Sequence, residues 1–269
     1  MRIPCLIALA IAAGFSTTAA TGHEFWIDPH EFQIAPGENI VADLRVGQGF
    51  TGVAFSYLPP KFRLFDIVRG DQREAVSMRM GDRPAMDVPA LGNGLNVVLH
   101  VTTDQRITWS DPEKFRSFVR HKGAAWVLDE HARRGLPDSG FSEFYSRYAK
   151  SLIAVGDGAG EDARFGLLTE IVLLENPYTD NMSDGIDLKV FYDGAPRRDA
   201  QIEVFARSGE TVEKTTVPAD GNGRATVPVR PGVVYLLDAV VLRAIEPAFE
   251  TGPVWESLWA STTFRVPAN

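Results

Sequence analysis

Residues 20 to 32 read ATGHEFWIDPHEF, and the residue in that stretch with the most chemistry to offer is His23. An imidazole next to a newly made amino terminus can share a metal ion with the terminal amine and the intervening amides. Two cleavage points precede it. A cut after Ala20 starts the mature chain Thr21-Gly22-His23, whose amine, two amide nitrogens and imidazole form a square plane suited to Cu(II) or Ni(II). Gly22 lets that backbone wrap tightly. A cut after Gly22 makes His23 the first residue, and its amine and one ring nitrogen then need a second histidine from elsewhere. Both cuts stay open at this level.

The partner would be one of four further histidines. His30 lies seven residues on, just past Pro29, and could face the same side only if the chain turns there. His100 sits in LNVVLHVTT, an alternating strand, where a lone histidine more often serves structure. His121 and His131 are ten apart, on different helices. None has the i, i+4 spacing that puts two ligands on one helix face. The candidate metal set is therefore His23, His30 and His100, assembled by the fold. Glu24, Trp26, Tyr145, Arg147, Tyr148, Trp255 and Trp259 are candidate ligand or interface residues. For the tryptophans, core or interface packing is the stronger expectation. Glu256 and Ser257 have no histidine after them to complete a triad. With no phosphate loop, nucleotide fingerprint or nucleophile elbow either, a non-enzymatic protein is expected.

These residues follow a segment with the pattern of an export signal. Arg2 precedes the apolar run CLIALAIAAGF and the small-residue stretch STTAATG, as in a secretory leader of residues 1–22. The expected location is periplasmic. No later stretch approaches the ~20 apolar residues of a membrane-spanning helix. The single cysteine, Cys5, falls in the leader, so neither a disulfide nor a cysteine metal site is expected in the mature chain. The net charge is −8 and no basic stripe runs along the chain, which argues against a nucleic-acid partner.

The elements that must position the candidates are mainly β. EFWIDP, FQIAPGENIVADLRV, KFRLFDIVRGDQ and GLNVVLHVTT are strands separated by turn signals, which argues for an antiparallel sandwich. A helical insertion is expected over about 110–147. It opens with a capping box of Ser110 and Glu113, has Pro112 in its first turn, and presents Phe115, Phe118 and Val119 as an apolar face. A second helix in AAWVLDEHARRG should end at Gly135. FSEFYSRYAKSLIAVG reads as a helical or irregular start leading into a strand near SLIAV. Residues 183–269 repeat a strand–turn–strand rhythm and form a second, prealbumin-like Greek-key sandwich behind a first domain of 23–182.

HEFWIDP, VGQGF at 46–50, PEKFRSFV, YSRYAKSLIAVG, LENPY and WESLWASTTF, in this order, resemble a bacterial periplasmic family of unknown function. That family is often associated with nickel or cobalt uptake. The resemblance covers nearly the whole mature chain. It implies a β-rich front half, a prealbumin-like back half and a link to transition-metal transport, with a membrane metal transporter as partner. It also implies that His23, Glu24, Phe25 and Trp26 open the mature chain, and that Tyr145, Arg147, Tyr148 and Lys150 match a family cluster. The stretch LDAVVLRAIEP lacks a histidine that relatives carry there, which weakens a site drawing its second histidine from the back half. The competing expectation is a non-catalytic sandwich that binds a protein or glycan. In that arrangement HEFW is only a first strand, with Phe25 and Ile27 on one face and Trp26 on the other.

Overall fold

The computed structural model describes residues 23–268. The expected leader, its cut and Cys5 lie outside the described residues. The described chain is mainly β with two short α-helices, consistent with a β-sandwich. Its backbone is a ten-stranded sheet. In spatial order the main path runs Thr211–Pro218, Gln201–Ser208, Val234–Ala244, Pro253–Arg265, Phe141–Val155, Gly94–Thr102, Phe62–Arg69 and Gln72–Ala75. The short strands Gln33–Ile34 and Gln105–Trp109 also pair with Phe141–Val155.

Side chains alternate across this sheet, so each strand feeds two different cores. Leu95, Val97, Leu99 and Val101 project to one face, with Leu152, Leu237, Leu258 and Phe264. They meet Ile171, Leu173, Ile186, Leu188 and Val190 from a four-stranded sheet that includes Thr169–Leu173 and Ile186–Tyr192. On the opposite face Val98, Ala149 and Ile153 pack against Phe25, Ile27, Ile40 and Leu44 of a second four-stranded sheet. That sheet is built from Glu24–Pro29, Asn39–Gln48, Thr51–Phe55 and Met86–Pro89. Farther along the same face, Trp109, Trp255 and Trp259 receive Phe115, Phe118 and Val119 of the helix Pro112–His121.

The expected boundary between 182 and 183 does not separate two sheets. Phe141–Val155 and Pro253–Arg265 lie side by side in parallel, from Ser142 opposite Pro253 to Ser151 opposite Thr263. Strands from both halves therefore share one hydrogen-bonded sheet. The segment FSEFYSRYAK is also a correction, because it is β from Phe141 rather than helical or irregular. Its backbone pairs with the closing strand on one side and with Gln105–Trp109 on the other. Its polar side chains, which made it look irregular, are buried in polar partnerships instead. The first helix is capped by Asp111, whose carboxylate accepts the Glu113 N–H at 3.0 Å, and not by Ser110. Pro112 opens it as expected, and the second helix, Trp126–Arg133, is followed by Gly135 at φ 64°.

Candidate functional site

The alternation of side chains between the two faces of the opening strand decides what each residue of HEFW can reach. Glu24–Pro29 pairs antiparallel with Asn39–Gln48, with Glu24 opposite Gly47 and Ile27 opposite Leu44. Phe25 and Ile27 enter the core beneath the ten-stranded sheet, while Trp26 joins Phe50, Phe205 and Leu236 in a separate cluster. Trp26 meets Phe50 edge-on at 5.4 Å. VGQGF is the turn that makes this fit. Gly49 and Phe50 both have positive φ, at 62° and 60°, and the Gly49 N–H donates to Glu24 Oε2 at 2.9 Å. A Cβ on Gly47 would stand 1.9 Å from the Thr51 carbonyl oxygen, so only glycine allows the close hairpin.

His23 itself is exposed, at the rim of a cavity of about 280 Å³. Phe25, Leu44, Val46, Leu58 and Phe62 supply its apolar walls, and His100, Thr102, Gln105, Tyr145 and Arg147 supply polar groups. The fold thus brings His23, just before the opening strand, and His100, in the strand Gly94–Thr102, onto one cavity.

His100 lies opposite Phe65 in the strand pairing and is caged by aromatic rings. Ring centroids of Phe62, Phe65 and Phe25 stand 4.5, 5.0 and 5.2 Å away. It is 1% exposed, and neither ring nitrogen has a hydrogen-bond partner. Burial pushes its pKa down to about 3, so it is neutral at ordinary pH. A neutral imidazole holds one N–H donor and one lone pair, and burying both unsatisfied is costly. The lone pair is in the form that binds a metal.

Other expected ligands go elsewhere. His30 is exposed, stands 3.6 Å from Asp43 Oδ2 and is absent from the cavity lining. His131 is held by Trp255 Nε1, 3.0 Å from its Nδ1, and by the Pro137 carbonyl oxygen, 2.9 Å from its Nε2. His121 Nε2 lies 2.9 Å from Glu203. Among the described residues, no group of three or more His, Cys, Asp and Glu side chains converges as a metal cage. A metal held there by His23 and His100 alone would have only two imidazole ligands and would need its remaining positions filled by other donors.

Tyr145 and Arg147 reach the cavity from Phe141–Val155, whereas Tyr148 points to the opposite core, as period-two alternation requires. Arg147 is buried, lies 4.0 Å from the Trp259 ring centroid and has an unpartnered Nη1. Burial lowers its pKa to about 10, and it remains a cation at neutral pH. Tyr145 donates from its hydroxyl to Gln105 Oε1 at 3.1 Å. Trp255 and Trp259 are core residues: Trp259 stacks on Phe118 at 5.7 Å, and Trp255 stacks on His131 at 6.2 Å.

Behind the cavity runs a buried ionic belt that sequence reading missed. Lys122 Nζ donates to Glu203 Oε2 at 2.5 Å and to Asp238 Oδ2 at 2.9 Å, and lies 3.8 Å from Glu24 Oε1. Burial and the Asp238 charge push Glu24 up to about 7. Glu143 accepts from Trp109 Nε1 at 2.8 Å and from the Ser257 hydroxyl, and burial raises it to about 7 as well. Ser257 in turn accepts from Trp259 Nε1 at 2.9 Å. The signal available in the sequence was a single acid inside an apolar strand, Glu203 in QIEVFA and Asp238 in YLLDAVV.

A comparison with curated proteins finds no match. A family model matches residues 20–243, which takes in the opening strand, the cavity lining and the charged residues of the belt. By that match the chain belongs to the family described as a domain of unknown function, DUF4198.

Proposed function

We propose that this protein is a periplasmic, non-enzymatic transition-metal-binding protein that holds one Ni(II), Cu(II) or Co(II) ion with His23 and His100 and serves an uptake system. The observation that carries this is His100. It is a buried neutral imidazole with two unpartnered nitrogens, on the same cavity as the one histidine at the start of the described chain. Two imidazoles suit these borderline metals, and His23 at the rim offers a route for handing the ion to a membrane transporter. The periplasmic location rests on the leader pattern, and the uptake role on the family resemblance.

The test is metal stoichiometry of the exported, untagged protein by intact mass and elemental analysis. One equivalent of Cu(II) or Ni(II) is expected, lost in both His23→Ala and His100→Phe. Full retention in His100→Phe would leave only the amino-terminal square-planar chelate.

A recognition role has one observation in its favour. The edge strand Thr51–Phe55 exposes Val53 and Phe55, at 67% and 43%, next to the cavity mouth. Substituting both with Ser should weaken a protein contact without changing metal stoichiometry, as read by metal titration and partner co-purification.

A further inference from the structure

The cavity that holds His23 and His100 has a charge pattern that a bare metal ion does not explain. Among the described residues its lining contains two cations, Lys61 and Arg147, and no carboxylate. The nearby acids are committed to other partners. Glu24 accepts from the Gly49 N–H, Glu143 from Trp109 and Ser257, and Asp238 Oδ2 from Lys122, while Asp238 Oδ1 has no partner; the charges of these acids favour the Arg147 cation without hydrogen-bonding its Nη1. Arg147 is 7% exposed, with Nη1 buried and without an acceptor. A guanidinium N–H left unsatisfied beside a cavity is an anion receptor, and its planar fork matches a carboxylate. Lys61, exposed at the rim, adds attraction for an incoming anion. Leu44, Phe25 and Phe62 add an apolar stretch of wall, which favours an organic acid with a carbon skeleton over a hydrated inorganic anion.

A divalent metal would add positive charge to a lining that already carries Lys61 and Arg147. Two imidazoles bring no negative charge to offset it, and they leave coordination positions open. One small acid resolves both deficits.

We infer that the cavity binds a small organic carboxylate, its carboxyl group seated on Arg147 with Lys61 at the entrance. The inference has a second part, which rests on the metal-binding role proposed above: the same acid supplies oxygen ligands to the ion on His23 and His100. The protein then captures the metal as a carboxylate complex.

Calorimetric titration of the metal-free, exported protein with malonate, and with its neutral analogue malonamide, tests the first part. Malonate is expected to bind and malonamide to give no heat. Arg147→Met should weaken malonate binding about tenfold or more, the loss expected for one buried charge-assisted pair. Because Arg147 is buried and its variant risks misfolding, Lys61→Glu at the exposed rim is the second variant. It should also weaken malonate, with an unchanged circular dichroism spectrum. For the second part, malonate should bind more tightly to the Cu(II)-loaded protein than to the metal-free protein. Malonate binding without any metal uptake would overturn the metal-binding role and the second part but keep the carboxylate site. Metal uptake with no malonate binding, or malonate binding that is unchanged in both variants, would overturn the carboxylate site and leave the metal role intact.

Discussion

His100 forgoes hydrogen bonds that a buried imidazole ordinarily finds, inside a cage of three phenylalanine rings. Phenylalanine fits such a cage by size and chemistry and leaves no polar atom unpaired. In the metal-free protein His100→Phe is therefore expected to raise stability by about 1–3 kcal/mol, read from urea midpoints. The pH dependence has a definite sign. His100 has a folded pKa near 3 against an ordinary value of 6.5, so the unfolded chain binds the extra proton between those values. Its contribution is fully present above pH 6.5 and is lost as pH falls toward 3. The advantage of the Phe variant should therefore grow on acidification. Glu143 behaves oppositely: its folded pKa is about 7 against 4.5. Its stabilising contribution is present below pH 4.5 and disappears as pH rises through 7. Glu143→Gln should flatten that fall, seen in melting temperatures across pH 4 to 8.

At the scale of elements, the ionic belt ties the first helix to the ten-stranded sheet. Lys122, just past the helix Pro112–His121, is locked to Glu203 and Asp238 on two adjacent strands. Lys122→Met would leave buried Asp238 without its hydrogen-bonded cation and Glu203 with Lys214 alone, and a loss of about 3–5 kcal/mol is expected in denaturant unfolding. The belt also explains which elements could be read from the sequence. The strands around EFWIDP and GLNVVLHVTT, the Pro112 helix start and the Gly135 stop follow local rules of alternation and capping, and those expectations agree with the structure. Phe141–Val155 does not, because Glu143, Arg147 and Lys150 look like surface residues until their distant partners are known. The site was legible in part for the same reason. His23 and His100 could be named as candidates, but that they line one cavity depends on sheet topology, and Lys61 and Lys122 carry no local mark.

For the whole molecule, the parallel pairing of Phe141–Val155 with Pro253–Arg265 joins in one sheet what the strand–turn pattern suggested were two sandwiches. Half of the sheet cannot close without the other, since removing residues 183–268 exposes one edge of the longest strand and uncovers the apolar face that meets Leu258 and Phe264. A fragment of 23–182 is expected to lack the near-ultraviolet circular dichroism of the full chain, while the intact protein unfolds in one transition. The cavity depends on the same architecture, because one four-stranded sheet supplies Phe25, Leu44 and Val46, and the ten-stranded sheet supplies His100 and Arg147. Metal binding should accordingly vanish with global unfolding rather than survive on the amino-terminal peptide alone.

The most direct measurement is electron paramagnetic resonance of the exported protein loaded with one equivalent of Cu(II), compared with His100→Phe. Nitrogen couplings from two imidazoles in the wild type, falling to one in the variant, are the predicted result. An identical spectrum in both proteins would contradict the two-histidine site and return His100 to a purely structural role.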